Sequence, residues 1–179
     1  MVRVMKLFGA LGAVIIGCFG AAHADAVALD VSSVAQRLLQ SHNIERQRVG
    51  VRPLVWSDRL AKDAAIWAHY LATTGRFEHA PNRPENDLEG ENLWMGTVGA
   101  YTPEEMVGGW VDERADFVPG TFPRITRTAH WEDVGHYTQL IWHSTTQVGC
   151  AVAHNKSDDV LVCRYATPGN WMGENPLGK

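Results

Sequence analysis

Residues 147–154 set Val148, Cys150 and Val152 on one side and small residues on the other, and residues 160–166 alternate likewise. Period-two alternation of this length predicts two strands. Antiparallel pairing of Cys150 with Cys163 places Asn155 opposite Asp158 and leaves Lys156-Ser157 as a two-residue turn. A disulfide and a short hairpin are therefore compatible in one register, and a slip of one residue would turn each apolar face outward.

Whether those cysteines pair depends on where the chain is sent. It opens with Arg3 and Lys6, an apolar run over residues 7–16, and Ala22-His23-Ala24. These are the charged start, apolar middle and small-residue cleavage site of a secretory signal peptide, predicted over residues 1–24 and leaving a single domain over 25–179. The run is too short to span a bilayer as a mature helix. Ile15-Ile16-Gly17-Cys18 is a competing reading, a bacterial lipobox with Cys18 acylated, although it lacks the usual Leu. Either route leaves Cys150 and Cys163 as the remaining pair of three cysteines, and an even pair in a secreted or periplasmic chain predicts a disulfide. Loss of Arg3 and Lys6 with the leader takes the net charge from −4 to −6. With no Lys/Arg run besides, that argues against a nucleic-acid partner.

Four helices are predicted. The first covers residues 30–49, with Val31, Val34 and Leu38 on one side and Gly50 as its stop. Pro53-Leu54-Val55-Trp56 reads as an extended connector. Ser57 caps a long helix to Thr74, closed by Gly75. Its stripe of Leu60, Ala64, Trp67, Ala68 and Leu71 is small enough to let another layer approach closely, while His69 lies off the stripe and reads as solvated. After a polar loop over residues 75–87, Gly90-Glu91-Asn92-Leu93-Trp94 begins a strand. Thr102, Pro103 and Glu105 form a capping box with Pro at the first position, and that helix reaches about Ala115. Met106, Trp110, Glu113 and Phe117 share one face if its last turn persists, so Glu113 needs a partner there. Residues 116–134 have no clear period, and loops of that length are usually functional or mobile. Tyr137, Leu140 and Ile141 recur at helical spacing in the last helix, over residues 135–142.

Four strings bring these elements under one description. They are His42-Asn43-Ile44-Glu45-Arg46, Gly90-Glu91-Asn92-Leu93, Gly135-His136-Tyr137-Thr138-Gln139-Leu140-Ile141-Trp142, and Cys163-Arg164-Tyr165 with Gly169-Asn170. Together they resemble the signatures of the CAP superfamily (cysteine-rich secretory proteins, antigen 5 and pathogenesis-related proteins), as in a bacterial secreted member. The last string departs locally, with Thr167 at the usual proline position and Pro168 one place late. The resemblance implies an α+β fold, a three-layer α-β-α sandwich with a central antiparallel sheet. It marks His42, Asn43, Asn92, Gln139, Tyr165 and Asn170 as signature positions. For His42, Asn43 and Arg46 the favoured reading is structural, with Asn43 and Arg46 bonding neighbouring loops.

The resemblance also implies a cleft of two His and two Glu, which fall here on His79, Glu91, Glu113 and His136. Two imidazoles and two carboxylates suit zinc or another divalent cation with an open position for water. A carboxylate off the metal could instead orient a His or act as general base, and a hydrogen-bonded network without metal is the alternative. No H-E-x-x-H string occurs. A nucleophilic hydrolase has little support, because Ser144 has no base readable nearby and both mature cysteines are expected to be oxidised. His130, His143 and His154 receive no role. The expected function is that of a secreted, non-enzymatic protein binding a small apolar ligand (a sterol, fatty acid or other lipid) or an extracellular protein partner. A metal-assisted hydrolase or peptidase is the second reading.

Overall fold

The computed structural model describes residues 33–81 and 88–179. The expected leader over residues 1–24, Cys18, the expected Asp30 start of the first helix and Pro84 lie outside the described residues. No described helix is long and apolar enough to cross a membrane. Helix α1 is Val34–Val49, capped by Ser33 through a capping box with Gln36 and stopped by left-handed Gly50. Strand β1, Val55–Trp56, follows the Asn43-bound turn, and α2 is Asp58–Thr74, capped by Ser57. Strand β2 is Gly90–Thr97, α3 is Pro103–Asp112 and α4 is Gly135–Ile141. Strands β3, Gln147–His154, and β4, Asp158–Ala166, close the hairpin.

The strands form one sheet in the order β1-β3-β4-β2. Cys150 faces Cys163 and the two are joined by a disulfide, while the amide of Asn155 donates to the carbonyl of Asp158, as the alternation predicts. Bridging thirteen residues, such a bond restricts the unfolded chain by about 2–3 kcal/mol. Pairing is antiparallel except at β1, expected from sequence to be an extended connector, which lies parallel to β3. Two residues are too few to show a period, and only β3 beside them makes them a strand.

Alternation along β3 and β4 sends side chains into two separate cores. Val148, Cys150, Leu161, Cys163 and Tyr165 pack with Leu38 of α1, Trp110 of α3 and Tyr137 and Leu140 of α4. Val160 and Val162, with Leu93 of β2, pack against Ala64, Ala68, Leu71 and Ala72 of α2. The layers are therefore α2, the sheet, and the group α1, α3 and α4, which is the expected α-β-α sandwich. The small stripe of α2 meets the small side of β3 at close range. A Cβ on Gly149 would stand 2.2 Å from the amide nitrogen of Ala61 and 2.5 Å from the carbonyl oxygen of Ser57. Those are backbone atoms that cannot swing aside. Gly149→Ala should push α2 off the sheet and cost about 2 kcal/mol, measured by urea unfolding. A neutral result would show that the two layers slide freely.

Two expectations differ from the structure. Val34 is half exposed, and the buried face of α1 is instead Leu38, His42, Glu45 and Arg46. A search for apolar periodicity passes over a face that buries polar groups, which is affordable only because each has partners. Within the described residues α1 begins after Ser33, where the capping box supplies the first-turn acceptors. Residues 116–134 do not behave as a bare loop: Phe122, Ile125 and Val134 are buried, Phe117 pairs with Thr126 in a β-bridge, and residues Trp131–Val134 form a 3-10 turn.

Candidate functional site

Helix α3 ends at Asp112, and a 3-10 turn over Glu113–Ala115 carries the chain on. That turn aims Glu113 at the start of α4, where its partner requirement is met. His136 Nδ1 donates to Glu113 Oε1 at 2.6 Å, and the Tyr137 amide donates to Glu113 Oε2 at 2.9 Å. Trp110 lies nearly parallel to the His136 ring, with centroids 6.2 Å apart, and fixes that imidazole from one side.

A second pair repeats the arrangement at the start of β2. His79 Nδ1 donates to Glu91 Oε1 at 2.7 Å, and the Ala80 amide donates to the same oxygen at 3.0 Å. Glu91 Oε2 lies 2.9 Å from a guanidinium nitrogen of Arg164, its cross-strand neighbour on β4. Arg164 also approaches Glu89, which pairs with Arg59 of α2. Sequence reading missed this line of charge, because Arg164 and Glu89 become neighbours only through the β2–β4 register. A cavity of about 200 Å³, lined in part by His79, Glu89, Glu91 and Arg164, opens beside the His79 ring.

Carboxylates only accept, so the proton of each neutral imidazole sits on Nδ1 and the lone pair on Nε2. The four candidate ligands thus form two His/Glu pairs, and no three of them bring ligand atoms within 4.8 Å. Among the described residues the group that does is His42, Cys150 and Cys163. Both of those sulfurs are taken by the disulfide, and His42 is committed as well. Its Nδ1 donates to the Leu38 carbonyl at 2.8 Å, and its Nε2 accepts from the Tyr165 hydroxyl at 2.8 Å. Tyr165 in turn accepts from Asn92 Nδ2, which also reaches the His136 carbonyl. Burial pulls the His42 pKa down to about 4 and pushes Tyr165 up, so this chain of donors stays neutral and ties α1, β2, β4 and α4 together.

The remaining signature residues also hold backbone. Asn43 Nδ2 donates to the Leu54 carbonyl and its Oδ1 accepts from the Leu54 amide. Gln139 Oε1 accepts from the Gly169 amide, and Asn170 bonds the Gly135 carbonyl and Thr138, pinning the C-terminal tail to α4. Arg46, fully buried, donates to the carbonyls of Arg52, Leu140, Trp142 and Thr145. Beside them, Glu45 accepts from Arg48, Arg114 and Tyr137. Burial would raise Glu45, but those hydrogen bonds outweigh it and hold the carboxyl below its usual range.

Residues 39–165 match the cysteine-rich secretory protein family. The chain belongs to the CAP family. This CAP domain is 35% identical over 153 residues to the pathogenesis-related protein PR-1 of Medicago truncatula, covering 80% of this chain and 79% of that protein. To cysteine-rich secretory protein 2 of Homo sapiens it is 32% identical over 148 residues, covering 78% of this chain and 58% of that protein. Among solved structures it resembles NaASP2 with Zn2+ at a TM-score of 0.65 and 24% identity, covering 83% of this chain and 87% of that one. It also resembles the venom allergen-like protein 4 of Schistosoma mansoni at a TM-score of 0.60 and 18% identity, covering 80% and 97%. The relatives named are plant and animal proteins, and they lend the bacterial reading no support.

Proposed function

We propose that this CAP domain is a secreted binding protein for a small apolar ligand, such as a sterol or fatty acid, or for an extracellular protein. We further propose that His79 and His136 hold a divalent cation such as zinc through Nε2. One observation supports the metal reading: each ring gives its Nδ1 proton to a carboxylate, the arrangement that orients a histidine toward a metal. Glu113 spends its second oxygen on the Tyr137 amide, and Arg164 engages that of Glu91. The glutamates therefore orient and balance charge, and neither is spare to take a proton from a metal-polarised water. That favours binding over metal-assisted hydrolysis.

Zinc titrated calorimetrically into wild type should saturate, and His79→Ala combined with His136→Ala should abolish the signal while leaving the fold intact. Because imidazole binds metal in its neutral form, acid should weaken wild-type occupancy. Equal binding by both proteins would move the metal elsewhere. No saturable binding by wild type would leave two structural His/Glu pairs. Peptide turnover that disappears in the double variant would favour the hydrolase instead.

A further inference from the structure

The two His/Glu pairs are held by different means. Glu113 meets two successive residues of one helix, the His136 ring and the Tyr137 amide, with one oxygen for each. Trp110 lies along that imidazole, which is 35% exposed. His79 stands on the chain between α2 and β2, and its side chain is 63% exposed. Its Nδ1 and the Ala80 amide both use Glu91 Oε1. The orientation of that carboxylate therefore depends on what holds Oε2.

Arg164 holds it. Glu91 and Arg164 stand directly opposite on β2 and β4, so their side chains rise from one face of the sheet. That face is turned to α2, since the next residues along it, Leu93 and Val162, pack there. The fork of Arg164 divides between two acids. One nitrogen lies 2.9 Å from Glu91 Oε2, and the other lies 3.6 Å from Glu89 Oε2. All three side chains are buried, and Glu89 is paired as well with Arg59 at 2.6 Å. Two buried carboxylates this close to one cation would repel each other in its absence and turn apart. Arg164 and His79 do not compete, because they take different oxygens of Glu91. A lysine offers a single point charge and could not span both acids in this way.

We propose that Arg164 is a positioning residue for the His79 half of the site. By fixing Glu91 Oε2 it turns Oε1 to His79, keeps the imidazole proton on Nδ1 and leaves the lone pair on Nε2. The His136 half has no such dependence, because its carboxylate is set by the helix that carries the histidine. The consequence for a metal rests on the reading of His79 and His136 as ligands. The consequence for the His79 proton does not.

The test follows the ring nitrogens of both histidines by NMR in the metal-free protein at about pH 8, above the ordinary imidazole range. Wild type should carry its proton on Nδ1 at both residues. Arg164→Gln should move His79 toward a mixture of the two tautomers and leave His136 as it is. A general loosening of the fold would disturb both rings, so the contrast between them separates positioning from stability. Arg164→Lys keeps the charge without the fork, which guards against a variant that does not fold, and should shift His79 in the same direction by less. A His79 signal unchanged in every folded variant, or a His136 shift as large as that of His79, overturns the proposal. In calorimetry Arg164→Gln should bind zinc about tenfold more weakly than wild type. Equal affinity in the folded variants would overturn the coupling to metal. Absence of zinc binding by wild type would sink the metal reading instead, and the ring signals would then decide the role of Arg164.

Discussion

Arg46→Met is expected to cost about 4 kcal/mol of stability and to lower the melting temperature on the order of 10 °C. Methionine fills much of the same volume but leaves the carbonyls of Arg52, Leu140, Trp142 and Thr145 without the donor they share. Two of these sit at the C-terminal end of α4, where the helix dipole favours a cation. Not all of the hydrogen-bond energy is lost. Burial pulls the pKa of Arg46 down to about 10, which measures a dehydration cost that disappears with the charge. The net loss is therefore smaller than four separate bonds would suggest. Urea unfolding of the two proteins checks it, and a difference under about 1 kcal/mol would mean that water satisfies those carbonyls.

The second expected effect is a pH dependence centred on His42. Its pKa lies at about 4 in the folded protein against an ordinary 6.5, with burial the main cause. Above 6.5 neither state holds the proton and His42 adds no pH dependence. As pH falls below 6.5 the unfolded chain takes up a proton that the folded one refuses until about pH 4, so stability is lost across that window. The shift corresponds to about 3 kcal/mol in all. Unfolding free energies measured from pH 7 to pH 4 should decline by roughly that amount in wild type, and His42→Gln should flatten the decline whatever it costs at neutral pH. An unchanged slope in the variant would place the proton uptake on another group.

These two residues also mark where sequence reading stops. The α2 stripe, the Thr102 capping box and the hairpin register are local or periodic and can be read along the chain, whereas the positions of the His/Glu residues came from the family resemblance. The sandwich itself came from family resemblance, since four helices and a few strands are compatible with other layerings. The polar face of α1 could not be read, because Arg46 is indistinguishable from a solvated arginine until the carbonyls of four distant residues are brought to it. The capping box at Ser33 was readable, but an acidic residue three positions earlier competed for the same role. The partners of Glu91 show the same limit. His79 precedes it in a signature context, whereas Arg164 reaches it only across the sheet. Long-range pairing carries no period.

Strand β4 is buried on both sides, with Val160 and Val162 turned to α2 and Leu161, Cys163 and Tyr165 turned to the other helices. Neighbouring residues in the chain thus belong to different packing environments, while residues two apart share one. Changes at Leu161 and Tyr165 should therefore compensate or aggravate each other, whereas changes at Leu161 and Val162 should combine almost independently despite being adjacent. The sheet divides the domain into two mutational neighbourhoods. Variation on the α2 side can proceed with little regard to the helices that carry His42, Arg46 and His136, so the scaffold can be retuned from one face while the residues on the other keep their geometry.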